Sequence, residues 1–279
     1  MYKNILIPTD FSQESQNALA TGVEFIQRHG GTVHLLNVVE DPYASSGMRK
    51  LLDLPEDPMA GEMAKKLKEN ALNHLQAESD KYPDTDIDLI VRMGNPFKSI
   101  KIAADDLGVD LVIMGTNGAS GMEEIMLGST TEKIVRNVKC PVFSIKAKAD
   151  IVNVKSIIYP TDMRPEHEKI VNDLKELQKF YGAHLHLVKV FDSNMVLKRE
   201  IEERLKEFAE YFNLENYSTA AVQDPEEAET IIRFAEEMKA DMIAMATHFK
   251  RGIEVIVTSQ ISRNVVSNAK RPIWTKRVN

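Results

Sequence analysis

The chain has 279 residues, 43% apolar and 28% charged, with a formal net charge of −7 and a single cysteine, Cys140. That length accommodates one large domain or two of ordinary size. The negative balance argues against nucleic-acid binding, which needs basic residues to displace condensed counterions; one cysteine excludes an internal disulfide and fits a reducing cytoplasm.

No apolar run is long enough to span a bilayer, and "MYKNILIPTD" at the start does not read as a secretory signal. "KNILI" (3–7) predicts a first strand, and "SQESQNALATGVEFIQRHG" (12–30) a helix, with Ala18, Leu19, Val23 and Ile26 at helical spacing. "TVHLLNV" (32–38) predicts a second strand, followed by a loop rich in Pro, Gly and Ser (41–63) and an amphipathic helix around 60–81. A third strand is predicted over 86–93, a helix over 97–108 and a fourth strand over 110–114. A glycine-rich stretch, a helix to about 137 and a fifth strand over 141–145 close the series. Strands alternating with helices predict a parallel sheet covered on both faces, in a flavodoxin-like or Rossmann-like winding.

The series then repeats. "NILIPTDFS" (4–12) matches "SIIYPTDMR" (156–164), "VDLVIMGT" (109–116) matches "ADMIAMAT" (240–247), and "CPVFSI" (140–145) matches "RPIWTK" (271–276). The offset falls from 152 in the first pair to 131 in the others, so the second copy is 21 residues shorter. The loss is assigned to the 41–63 loop, and the boundary to "KAKADIVNVK" (146–155). Two tandem five-stranded α/β domains are expected, over residues 1–148 and 154–279. The acidic segments 199–211 and 224–240 read as helices with a charged outer face.

In such sheets ligands sit beyond the carboxyl ends of the strands, where the strand order reverses. "PTD" (8–10) and "MGTNG" (114–118) would then face each other across one crevice. Gly115, Gly118 and Gly128 lack a Cβ, so backbone N–H groups there can approach an anion, with positive φ available. Gly128-Ser129 opens a helix, whose N-terminus favours negative charge. Ser129 stands three residues before Glu132, at capping-box spacing, so its hydroxyl could cap the helix or meet a phosphate. Asp10 could equally cap the first helix or touch a ligand. Neither GxxxxGK[ST] nor GxGxxG after the first strand is present.

The pattern G-x2-G-x9-G-S at Gly115, Gly118, Gly128 and Ser129, with "PTDFS" after strand one and the tandem layout, resembles the universal stress protein superfamily over essentially the whole chain. That resemblance implies five-stranded α/β domains and, in members that keep the glycine pattern, bound ATP, with or without Mg²⁺. Position by position it implies that Pro8, Thr9, Asp10 and Val38 lie around adenine and ribose. Met114, Gly115 and Gly118 would line the ribose and phosphate path, and Gly128, Ser129 and Thr130 would hold phosphates. Gly121 receives no ligand role. The second copy keeps Pro160, Asp162 and Val190 but carries Ala246, Phe249, Ser259 and Gln260 where the first has Gly115, Gly118, Gly128 and Ser129. Nucleotide is therefore expected in the first copy only.

The resemblance also implies that the fifth strands, carrying Phe143 and Trp274, pair within the chain; a covering helix is the alternative, and a homodimer stays open. His34, His184 and His186 read as structural, because no metal-ligand spacing accompanies them. Cys140 reads as an inert, partly buried thiol, and His248, Lys250 and Arg251 as a loop with a weak claim to an anion site. The expected function is a cytoplasmic ATP-binding stress-response protein that signals to protein partners and does not act on a membrane. No general base, nucleophile pair or P-loop lysine points to fast chemistry. The alternatives are a nucleotide-hydrolysing or nucleotidyl-transferring enzyme of related winding, with Asp10 and Mg²⁺ supporting slow hydrolysis, and a nucleotide-free interaction module.

Overall fold

The computed structural model describes residues 1–40, 58–116, 128–164, 168–192, 197–248 and 253–278. The amino-terminal half contains β1 (Asn4–Thr9), α1 (Gln13–His29), β2 (Thr32–Val39), α2 (Pro58–Ser79), β3 (Ile87–Met93), α3 (Pro96–Asp106), β4 (Leu111–Gly115), α4 (Ser129–Asn137) and β5 (Val142–Ile145). The carboxy-terminal half repeats the series as β6 (Ser156–Pro160), α5 (Glu168–Tyr181), β7 (His184–Phe191), α6 (Lys198–Tyr211), β8 (Tyr217–Gln223), α7 (Glu227–Glu237), β9 (Met242–His248), α8 (Ile253–Asn268) and β10 (Ile273–Val278). Part of the segment read as loop is helical, since α2 opens at Pro58, a residue suited to a helix start. Residues 41–57 lie outside the described ones.

The strands form one ten-stranded sheet in the order β3-β2-β1-β4-β5-β10-β9-β6-β7-β8. Every neighbouring pair is parallel except β5 and β10, which run antiparallel. The two five-stranded units expected from the sequence are thus joined edge to edge. Ile273 opposes Ser144, Trp274 opposes Phe143 and Thr275 opposes Val142. An edge strand with large apolar side chains exposes unsatisfied backbone groups, and pairing the two edges removes both. Trp274 and Phe143 are fully buried there, and Trp274 Nε1 donates to the Tyr2 hydroxyl at 3.0 Å.

Alternate residues of each strand serve different cores, as a period of two requires. Ile5 and Ile7 join one apolar cluster that runs under both halves and includes Leu19, Leu35, Leu174 and Trp274. Leu6 faces the opposite side with Ile100, Val112 and Ile134, and the second half has its own cluster there, around Ile158, Ile231 and Val265. Helices on both faces explain why the strands are nearly continuous apolar runs. Among the described residues no helix is long and apolar enough to cross a membrane.

Candidate functional site

In each half the strand order reverses beside the first strand: β1 lies between β2 and β4, and β6 between β7 and β9. In such sheets the place for a crevice is beyond the carboxyl ends at each reversal. The first crevice begins with a tight turn after β1. The Thr9 hydroxyl accepts from the Phe11 backbone N–H at 3.0 Å and lies 3.0 Å from Ser15 Oγ, while Phe11 is held at φ 63°. Ser12, not Asp10, is the N-cap of α1, accepting from the Ser15 N–H. Asp10 supports that cap, its carboxylate accepting from the Ser12 N–H at 3.1 Å and the Ser12 hydroxyl at 2.6 Å.

The opposite wall is the end of β4 and the start of α4. A Cβ on Gly115 would come within 2.7 Å of Glu14 Cβ and 3.0 Å of the Glu14 carbonyl carbon. Glycine is needed here because β4 meets the first turn of α1 backbone to backbone. Positive φ is not the reason, for neither Gly115 nor Gly128 adopts it. Gly128 is the N-cap of α4 at φ −53° and ψ 132°, and its N–H donates to the Thr116 carbonyl at 2.8 Å. The capping box read from Ser129 and Glu132 does not form. Ser129 sits one position too late, inside the first turn, and the Glu132 carboxylate turns instead to Arg136 at 3.1 Å and Arg263 at 3.5 Å. The Thr131 hydroxyl donates to the Gly115 carbonyl at 2.9 Å and ties helix to strand. The first-turn amides of α4 have no acceptor within their own helix, and no side chain caps them.

Between these walls lies a cavity of about 490 Å³, a size suited to a small organic ligand. Its lining includes Pro8, Thr9, Asp10, Val38, Met114, Gly115, Gly128, Ser129 and Thr130, so the sequence candidates within the described residues converge on one space. Gly118 and Gly121 lie outside the described residues. Sequence reasoning missed Ser15, Leu36, Asn37, Glu40, Pro96, Ile100 and Thr131, which also line it. Two of these, Glu40 and Pro96, follow the carboxyl ends of β2 and β3, and that position was the available signal. The lining combines apolar side chains (Leu36, Ile100, Met114) with polar ones and with the first turn of α4. Asn37 is nearly buried, and its amide donates to the Thr9 carbonyl at 2.8 Å, which fixes the floor.

The second crevice starts with the same turn. Thr161 Oγ1 accepts from the Met163 N–H at 3.0 Å and Met163 is held at φ 59°. The tie from helix to strand also persists, with the Ser262 hydroxyl 3.5 Å from the Ala246 carbonyl. The remainder differs. Helix α8 spans 16 residues where α4 spans 9, and Ser259 and Gln260, at the positions of Gly128 and Ser129, lie inside it. Amides that end a helix in the first half therefore belong to a helix interior in the second. Glu227 stands where the first half has Pro96, and Lys189 where it has Asn37. Burial pushes the Glu227 carboxyl above the usual range, Lys189 opposing and Asp162 adding to the rise. Asp162 pairs with Arg164 at 2.6 Å.

The histidines are engaged within the sheet. His34 faces Asp88 at 3.1 Å. Asn216 Nδ2 donates to the Ala183 carbonyl, which leaves Oδ1 to accept from His184 Nδ1; a chain then runs through the Ser218 hydroxyl to His186 and on to Ser156. Cys140 is half-buried, and burial pushes its thiol up to about 11, far from a reactive thiolate. His248 ends β9, and Phe249, Lys250 and Arg251 lie outside the described residues. Among the described residues no group of three histidine, cysteine or carboxylate side chains is placed to hold a metal ion.

Comparison with known proteins matches the profile of the universal stress protein family to residues 1–146 and again to 153–277. A universal stress protein of Methanocaldococcus jannaschii is 32% identical over 161 residues, 53% of this chain and 97% of that protein. A putative universal stress protein of Staphylococcus haemolyticus is 29% identical over 166 residues, 59% of this chain and 92% of that one. In fold, the chain is similar to the crystal structure of a universal stress protein from Archaeoglobus fulgidus, with a TM-score of 0.70 over 99% of this chain and 96% of that one, at 19% identity.

Proposed function

Since the chain belongs to the universal stress protein family in both of its halves, we propose that it is an ATP-binding stress-response protein whose amino-terminal crevice holds the nucleotide and whose carboxy-terminal crevice holds none. The two halves, residues 1–148 and 154–279, then act as a binding domain and a degenerate copy of it. The observation that carries this reading is the first cavity, lined by apolar side chains together with the amino-terminal turn of a helix that no side chain caps. Adenine and ribose would lie among Pro8, Thr9, Asp10, Val38 and Met114. The triphosphate would run past Gly115 toward Gly128, Ser129 and Thr130, where uncapped amides and the helix dipole favour an anion. Gly118 is proposed to border the same path. A Mg²⁺ ion would be held mainly by the phosphates, with Asp10 and Glu40 as the carboxylates lining the cavity. ATP so held supplies a charged, bulky occupant that alters the surface presented to protein partners in the cytoplasm.

The test is direct. Protein purified without added nucleotide, denatured and chromatographed, is expected to release ATP approaching one per chain. Two per chain would overturn the assignment to one half. No release, together with no ATP-induced rise in melting temperature, would favour a nucleotide-free interaction module, and rapid turnover of ATP would favour an enzyme.

A further inference from the structure

Helix α4 belongs to the first half by sequence, yet the second half grips it along its length. The Arg263 guanidinium, on α8, lies 3.5 Å from the Glu132 carboxylate. The Thr247 hydroxyl donates to the Val135 carbonyl at 3.3 Å, and Arg277 Nη1 to the Asn137 carbonyl at 3.4 Å. These contacts follow from the antiparallel pairing of β5 with β10, which sets α4 and α8 on the same face beside the seam.

Glu132 is the acidic residue of the first turn of α4, next to Thr131 in the cavity lining. A carboxylate there stabilises the bare helix through its dipole but repels an anion arriving at the same terminus. Arg136, from the next turn, offsets part of that charge at 3.1 Å. The remainder is met by Arg263, which no local sequence relation could supply. We infer that Arg263 is a positioning residue for the anionic end of the first crevice: it draws the Glu132 carboxylate aside and neutralises it, so that the degenerate half raises the affinity of the intact half for polyphosphate. The second half thus keeps a role in ligand binding without holding a ligand. This inference rests on the nucleotide reading above.

Titration calorimetry of the full chain with ATP and, separately, with adenosine tests it. Arg263→Ala is expected to weaken ATP binding about twofold to tenfold, as befits one partly screened charge near the phosphates, and Arg263→Glu to weaken it further. Adenosine, which lacks the anion, binds as before. In a Glu132→Gln background the Arg263 substitution loses its effect, and Arg263→Lys restores most of the affinity. Equal weakening of ATP and adenosine, an undiminished effect beside Glu132→Gln, or no effect at all would overturn the inference. Wild-type protein that binds neither compound would instead overturn the nucleotide reading, and the inference with it.

Discussion

At the carboxyl ends of β1 and β6 the chain makes the same turn twice, with Thr9 and Thr161 bonding the amides of Phe11 and Met163 and both of these residues at positive φ. A short way off, the two crevices diverge. In the first, α4 stops at Gly128 and presents its terminus to a cavity edged by Pro96. In the second, α8 continues through the matching position, and a carboxylate, Glu227, stands at the equivalent of Pro96. The shared turn is therefore a device for starting a helix, whereas an anion needs an open helix end at which any nearby carboxylate is itself paired, as Glu132 is with Arg136 and Arg263. That separation shows how a repeat can keep its fold while the two crevices differ in their chemistry.

The comparison can be broken most forcefully by making the first crevice resemble the second. Pro96→Glu places a carboxylate where Glu227 stands, at a helix position that tolerates it behind the Asn95 cap. ATP affinity, read by calorimetry, is expected to fall at least about tenfold while the melting temperature of the free protein hardly moves. An unchanged affinity would mean that Glu227 does not account for the difference. Gly115→Ala imports the Ala246 side chain. Its Cβ would press on the Glu14 backbone, costing about 1–3 kcal/mol in denaturant unfolding, and the displaced α1 would narrow the cavity. A neutral outcome would show that β4 and α1 can move apart freely.

Two smaller effects sharpen the contrast through pH. Because the folded carboxyl of Glu227 is raised above its ordinary value of 4.5, its ionisation opposes folding once pH rises past that value. Glu227→Gln should therefore give a small rise in melting temperature at pH 7 and none near pH 4; equal shifts at both would remove burial as the cause. His186 behaves in the opposite sense. Burial first, and the neighbouring His184 second, hold its pKa below the ordinary 6.5. The stability tied to the neutral ring is complete above pH 6.5 and is lost as pH falls through that value toward the lower folded one. Hydrogen exchange should show β7 and β8 losing protection in mild acid before β2 and β3. Simultaneous loss in both halves would place the acid sensitivity elsewhere.

Much of this architecture is written locally. The short apolar run in "NILIP" marks a strand covered on both faces, and the helical spacing from Ala18 to Ile26 marks a helix buried on one, since burial of a single face leaves a period in the chain. The repeat gave the element order of the second half, the rule that ligands collect at the carboxyl ends of parallel strands set "PTD" (8–10) across from the start of the glycine stretch, and the family resemblance added Val38 and Gly128. The tertiary structure alone decided the rest. Gly115 is glycine because Glu14, a hundred residues earlier in the chain, lies against it. Glu132 turns from its own cap to an arginine of the other half. The two sheets became one because β5 and β10 had edges to satisfy. Contacts between residues so far apart impose no spacing on either segment, so they leave no period to read; they exist only once the chain has folded and brought its distant surfaces together.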